Sequence, residues 1–207
     1  PPPLVHFESM RFAALLALAA LPAFSLADRL LTIPTGVTLV PGEASAEALY
    51  RTDNHRTTGF LQVGLPLFFE LGAMMDGGEL AVHLQYSVVQ PFPEYAPGIA
   101  IGVWDAGNDS PDGRGLWVAA TWQFNVYADW AQRERISFTL GGGSGPRFRG
   151  AFVGLELPVY TGWSLLMEHD SRLLTFGVGF EPVEHVRFRG LVRDGRAAYS
   201  FTLRYGF

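Results

Sequence analysis

Apolar and polar residues alternate along most of the chain, with a repeat of two residues. Leu80, Val82 and Leu84, for instance, are separated by Ala81 and His83. A similar alternation marks twelve segments, least regularly in the first and eighth: 44–51, 59–64, 67–75, 80–89, 99–103, 116–124, 136–141, 148–157, 163–168, 173–180, 185–192 and 199–207. Successive side chains of a strand point to opposite faces, so each segment is predicted to be a β-strand with one apolar and one more polar face.

Turn residues separate these segments. Asp76-Gly77-Gly78 is a hairpin signal, and the other connections are rich in Gly, Pro, Asp and Asn. Successive connections are expected at opposite ends of the strands, and so on opposite sides of a membrane that the strands cross. A barrel with both termini on one side needs an even number of strands. The pattern predicts about twelve, or ten if the pair within 44–64 does not span.

The strand lengths and the composition favour a membrane barrel. Strands that cross a bilayer need about 9–11 residues, with an apolar outward face and a more polar inward face. Hydrophobic residues make up 48% of the chain, more than a soluble domain of this size needs. Lipid admits a sheet only when it is closed, because open edges would leave backbone groups unpaired. We therefore expect an all-β fold, a closed antiparallel transmembrane β-barrel.

Aromatic residues cluster beside several predicted connections. Tyr and Trp favour the headgroup level of a membrane, so these residues predict interfacial girdles. The alternative is that they cap the core of a soluble sandwich. They are Trp122, Phe124, Tyr127, Trp130, Tyr160, Trp163, Tyr205 and Phe207.

The last segment has the strictest alternation, and its aromatic and Leu positions are Tyr199, Phe201, Leu203, Tyr205 and Phe207. It resembles the closing strand of bacterial outer-membrane barrels, whose aromatic C-terminus is read by the barrel-assembly machinery. The resemblance implies that the protein lies in the outer membrane, in contact with its lipid. It also implies that these five residues form an assembly signal and that the assembly machinery is a partner during biogenesis.

The beginning of the chain predicts export. Met10 and Arg11 precede an apolar run, and Ser25-Leu26-Ala27 offers small residues at a cleavage site. The run is too short for a spanning helix, which needs about 20 apolar residues; a buried N-terminal helix is the alternative. We expect 1–9 to be an upstream leader outside the fold, 10–27 a signal peptide, 28–43 an N-terminal periplasmic segment and 44–207 the barrel.

Composition excludes several classes of function. The chain has no Cys, which excludes disulfides, a lipoprotein anchor and Cys-based metal chemistry. The formal net charge is −5, and the basic residues, all Arg, form no concentrated stripe. We therefore expect no nucleic-acid partner.

The polar faces of the strands would line the lumen and form a polar network there. Buried charges need partners, so we expect Glu168 and Glu70 to accept hydrogen bonds from the arginines of the last two strands. Glycine and alanine at other inward positions leave room for Arg side chains or for water, and an Arg-lined narrow pore is the alternative. The predicted network comprises Glu70, His83, Gln85, Arg149, Glu168, Arg187, Arg189 and Arg204.

No catalytic, cofactor-binding or metal-binding residue is predicted. A nucleophilic Ser needs a His within hydrogen-bonding distance. His83 and Ser87 share a strand face but lie about 13 Å apart along it. His169 points away from its neighbours Glu168 and Asp170. An outer-membrane lipid hydrolase or protease is the less favoured alternative to a non-enzymatic barrel.

Four segments resemble the YjbH-like outer-membrane family: Ile33-Pro34-Thr35-Gly36, 97–105, 166–170 and 176–180. The resemblance implies an accessory or structural role in the export or assembly of surface exopolysaccharide. Polysaccharide and export-complex proteins would then be partners. The alternative is a small structural or narrow porin-like barrel with no polysaccharide role.

Overall fold

The computed structural model describes residues 29–110, 113–128 and 134–207. The leader and the signal peptide expected at 1–27 lie outside these residues. The described residues contain no helix that is long and apolar enough to cross a membrane.

Twelve antiparallel strands form one closed barrel, in which each strand pairs with its sequence neighbours and β1 pairs with β12. The predicted fold class is confirmed. The strands are β1 Glu43–Arg51, β2 Arg56–Leu65, β3 Phe69–Asp76, β4 Glu79–Val89, β5 Gly98–Trp104, β6 Gly115–Asn125, β7 Arg135–Ser144, β8 Gly150–Tyr160, β9 Trp163–His169, β10 Leu174–Val183, β11 Val186–Arg193 and β12 Arg196–Gly206.

The barrel has two distinct ends. We call the end at which β1 begins and β12 ends the near end, and the opposite end the far end. At the far end, Gly77 and Gly78 join β3 to β4 with φ angles of +62° and +95°, the two-residue turn that hairpins favour. At the near end, Leu67 and Phe68 also have positive φ, within a short 3-10 turn. The strand predicted over 67–75 therefore begins only at Phe69.

The outer surface of the barrel is apolar. Along β10, Leu174, Phe176 and Val178 are exposed, whereas Thr175 between them is buried in the lumen. Exposed aromatic side chains gather at the near end, where Tyr95 and Tyr127 are among the most exposed residues. This distribution matches a barrel wall that stands in lipid with a girdle of rings at its rim.

Residues 29–42, which we call the inner segment, lie inside the barrel. The sequence pattern assigns them to a periplasmic segment, and their position in the lumen differs from that expectation. Arg29 and Pro34 form an isolated antiparallel β-bridge, and the Leu30 amide donates to the Ile33 carbonyl at 3.2 Å. This tight turn leads toward the near end, where the Gly42 amide donates to the Gly64 carbonyl at 3.3 Å. Ile33 is completely buried and Leu39 is 1% exposed.

Aromatic side chains fill much of the lumen toward the far end. They face strand glycines, whose missing side chains make the space. A Cβ on Gly141 would lie 2.3 Å from the Phe152 ring, and one on Gly102 would lie 2.4 Å from the Trp117 ring. The small inward residues were expected to leave room for arginine or water; at Gly102 and Gly141 that room is taken by rings, and at Gly179 by Arg187.

Candidate functional site

Glu168, on β9, holds the turn of the inner segment. Three consecutive backbone amides donate to its carboxylate: Leu31 at 3.1 Å, Thr32 at 2.9 Å and Ile33 at 3.3 Å. The Thr32 hydroxyl donates to the same carboxylate. Successive amides arranged around an anion form a backbone nest, which binds negative charge without a cation. Glu168 is 1% exposed, so its charge is satisfied almost entirely by the inner segment.

A second anchor lies at Glu47 on β1. Arg29 of the inner segment donates to one carboxylate oxygen at 2.5 Å, and Arg189 of β11 is 2.8 Å from the other. Arg189 also donates to the Leu30 carbonyl at 2.5 Å. All three side chains are buried. One wall carboxylate thus joins a wall cation to a cation of the inner segment, and each guanidinium has a carboxylate oxygen as a partner, as buried charges require.

A third group of contacts seats the part of the inner segment closer to the near end. The Leu39 amide donates to Glu70 at 2.8 Å, and Gln85 donates to the same carboxylate at 3.2 Å. The Gly36 amide donates to the Thr121 hydroxyl at 2.8 Å. A Cβ on Gly36 would lie 2.0 Å from the Gly98 carbonyl oxygen. The backbones therefore approach as closely as only glycine permits.

The wall also contains an ion pair of its own. Arg187 on β11 reaches Glu156 on β8, passing Gly179 and Ser164 on the strands between. A Cβ on Gly179 would lie 3.3 Å from the guanidinium, and Ser164 accepts a hydrogen bond from it at 3.3 Å. Arg187 does reach across neighbouring strands, as expected for a long arginine side chain, but the carboxylate that accepts from it is Glu156. The expectation that Glu168 accepts from arginines is wrong, because three amides and a hydroxyl of the inner segment donate to it. Glu70 accepts from the Leu39 amide and from Gln85, and an arginine donor to it stays a prediction.

His83 joins the aromatic cluster. Its ring stacks on Trp104 with centroids 4.0 Å apart, and the Arg147 guanidinium lies over the Trp104 ring, 4.1 Å from its centroid. A cavity of about 30 Å³ lies beside His83, between Trp104, Trp117 and Pro34. Only a water-sized molecule fits such a space.

Six of the eight residues of the predicted network are buried in the lumen. Glu70, His83, Gln85, Glu168, Arg187 and Arg189 are buried in the lumen, and Arg204 is half-buried near the near end. Arg149 is exposed, in the connection before β8, and its backbone amide donates to Ser171 at 3.1 Å. Its placement in the network is wrong, because β8 begins only at Gly150 and the buried positions of this strand are the even ones, such as Phe152 and Glu156.

The C-terminal residues predicted to form an assembly signal share one face of β12. Tyr199, Phe201, Leu203 and Tyr205 are exposed on the outer wall, and Phe207 follows at the near end, 76% exposed. Their exposure is compatible with recognition from outside the barrel. Their role in assembly remains a prediction.

Ser87 and His83, the pair considered for nucleophilic catalysis, make separate contacts. The Ser87 hydroxyl donates to the Val89 carbonyl at 3.2 Å, and His83 stacks on Trp104. His169 is exposed, whereas Glu168 and Asp170 are buried. No group of three or more potential metal ligands occurs among the described residues.

Sequence reasoning missed Arg29, Glu47 and Glu156. Glu47 and Glu156 lie in the two segments whose alternation is least regular, yet each is flanked by residues of the outer face. The alternation of side chains along each strand therefore predicts that both carboxylates point into the lumen. Arg29 carried no such signal, because the inner segment has no strand periodicity.

Comparisons with known proteins agree with this geometry. No family model and no curated protein matches the chain. Among solved structures, a KdgM porin superposes with a TM-score of 0.52 at 10% identity, covering 80% of this chain and 99% of the porin. The KdgM porin in complex with disordered oligogalacturonate superposes with a TM-score of 0.51, at the same identity and coverage. A NanC porin structure gives 0.46 at 11% identity, over 79% of this chain and 98% of the porin.

This likeness concerns the fold. The chain is a closed twelve-stranded antiparallel barrel with the fold seen in the KdgM porin. Together with the apolar outer wall, it places the protein in the outer membrane. In the described residues, the interior of the barrel is occupied by the inner segment and the aromatic cluster.

Proposed function

We propose that this protein is a porin-like outer-membrane barrel whose pathway is closed by its own inner segment and opens when that segment leaves. The observation that carries the proposal is the way the segment is held. Point contacts with β1, β3, β6 and β9 seat it. The ladder of twelve strands closes without it. Departure of the segment therefore breaks no strand pairing and leaves the barrel intact.

Conductance of single barrels in planar lipid bilayers tests the proposal. Gly36→Ala removes the seat of the inner segment, because its Cβ would lie 2.0 Å from the Gly98 oxygen. Gly64→Ala does the same from the wall, since its Cβ would lie 2.1 Å from the Val40 oxygen. Gly59→Ala is the matched control, with nothing within 4 Å of the added carbon.

The wild type and Gly59→Ala should conduct little, whereas Gly36→Ala and Gly64→Ala should conduct in long open states. A wild type that already conducts as well as Gly36→Ala would contradict closure by the inner segment. Absence of conductance in both seat variants, with the barrel correctly folded, would indicate a purely structural barrel instead.

An accessory role in the export of surface polysaccharide is the second candidate. The resemblance of segments 97–105, 166–170 and 176–180 to the YjbH-like family supports it. So does the KdgM porin, which shares the fold and whose complex contains oligogalacturonate, an acidic sugar chain. Arg187 and Arg189 on the inner wall could contact such a sugar after release from Glu156 and Glu47. Deleting the gene should then lower surface polysaccharide, and the wild-type gene should restore it; an unchanged amount would exclude this role.

A further inference from the structure

The charges of the inner wall are not all balanced in the same way. Arg187 pairs with Glu156, and Arg189 pairs with Glu47. Glu168, by contrast, receives its hydrogen bonds from the amides and the hydroxyl of residues 31–33. These two wall arginines are thus paired with other carboxylates, and the charge of Glu168 is balanced by dipoles that belong to the inner segment.

Departure of the inner segment changes this balance mainly in one direction. Glu168 loses its nest of amides, and Glu47 loses Arg29 while it keeps Arg189. Glu70 loses the Leu39 amide and keeps its contact with Gln85. Each of these losses makes the exposed wall more negative. One opposite change, the loss of the Leu30 carbonyl by Arg189, removes a neutral acceptor and leaves Arg189 paired with Glu47. Low-dielectric walls focus the field of such charges into the water between them.

We infer that the open pathway selects small cations, and that Glu168 is the residue that sets this selectivity. The inference rests on the proposed function. Carboxylates that line a pore are a common basis of cation selection. An amine-bearing solute suits the site best, because its N–H groups can replace the donors that the inner segment provides. The arginine pairs do not oppose this selection, because Glu156 and Glu47 neutralise them.

Reversal potentials under a KCl gradient across a planar bilayer test the inference. The seat variant Gly36→Ala should be more permeable to K⁺ than to Cl⁻. A carboxylate 4 Å from a monovalent cation in water favours it by about fivefold. Adding Glu168→Gln to Gly36→Ala should therefore lower the K⁺/Cl⁻ permeability ratio by about that factor. Glu184→Gln, in an exposed near-end connection, is the matched control and should leave the ratio unchanged.

The outcomes separate the two proposals. If Gly36→Ala conducts but prefers Cl⁻, or if Glu168→Gln leaves its ratio unchanged, the selectivity inference is overturned and the closed-barrel function stands. If neither Gly36→Ala nor Gly64→Ala conducts, the closed-barrel function fails and the inference fails with it. Gly64→Ala also serves as the background for the same measurement if Gly36→Ala does not insert into the bilayer.

Discussion

Glu156 and Glu168 lie on neighbouring strands, and both point into the lumen, buried to similar degrees. They differ in what neutralises them. Glu156 pairs with Arg187, a residue of the wall itself. Glu168 is bound by the backbone of the inner segment. The first contact joins β8 to β11 across two strands; the second joins the wall to a segment that belongs to no strand.

The two carboxylates therefore have different roles: Glu156 contributes to the stability of the barrel, and Glu168 to the closure of its pathway. The pair of Glu156 and Arg187 stays complete whether or not the inner segment is present, so it contributes to the barrel. The contacts of Glu168 exist only while the inner segment is seated, so they contribute to closure of the pathway. Substitutions at the two carboxylates should consequently produce different defects, although their burial and their chemistry are alike.

The largest effect is expected at Glu156. Glu156→Ala leaves the buried Arg187 guanidinium without its carboxylate, and a buried charge without a partner costs about 3–5 kcal/mol. The free energy of unfolding, measured by urea titration in phospholipid vesicles, should fall by that amount. The double variant Glu156→Met with Arg187→Met removes both charges and should recover most of the loss. A single variant as stable as the wild type would show that Arg187 has another partner.

The next effect concerns the lipid that surrounds the wall. Val178 lies on the outer face near the middle of β10, and Val183 lies on the same strand at its near end. Arginine at the bilayer midplane costs about 2–4 kcal/mol, and at the interface about 0–1 kcal/mol. Val178→Arg should therefore lower the free energy of unfolding in vesicles much more than Val183→Arg. Equal and small effects at both sites would mean that this wall does not stand in lipid.

The outer wall was predictable from the sequence because its determinant is local. Alternation assigns Val178 to the outer face and Gly177 to the inner face without knowledge of any other strand. Closure and strand number followed from the count of such segments. The bend at Leu67 and Phe68 was not predictable, because their positive φ angles break an alternation that reads as continuous.

The partners in the lumen were less predictable. The alternation along the strands placed Glu168 and Arg187 in the lumen, but it did not determine which residues meet across the barrel. That choice depends on wall curvature and on the path that Gly179 opens for Arg187. The inner segment was the larger omission. Leu30, Leu31 and Ile33 have no strand period, and backbone amides, the groups that bind Glu168, are present at almost every position of any sequence.

A smaller and more local effect is expected at Glu168. Glu168→Gln keeps the size of the side chain but removes its charge and turns one oxygen into a donor that faces other donors. Loss of hydrogen bonds to a charged group costs about 1–3 kcal/mol. Amide hydrogen exchange at residues 31–33 should accelerate by about 5- to 150-fold, because local opening becomes easier. Glu156→Gln is the control and should leave exchange at these amides unchanged; acceleration in both variants would contradict the separation of stability from closure.

The smallest effect is expected outside the membrane, in the far-end connection after β5. Burial raises the pKa of the Asp105 carboxyl, but hydrogen bonds donated by Ser110, Asp109 and Asn108 outweigh it and hold the pKa below its usual value of 3.8. Because the folded pKa is lowered, the stabilisation is present above pH 3.8 and is lost as the pH falls through the folded value.

Amide exchange at Asp109 and Ser110, corrected for the intrinsic effect of pH, should show this loss. The two amides donate to Asp105 at 3.0 and 2.8 Å, and the expected change in local stability is about 1 kcal/mol. Asp105→Asn should have lower protection at neutral pH and should lack the acid dependence, since it cannot ionise. Protection at residues 31–33 in the same samples reports the Glu168 nest separately. If Asp109 and Ser110 keep their protection in strong acid, backbone geometry rather than the Asp105 charge holds this connection.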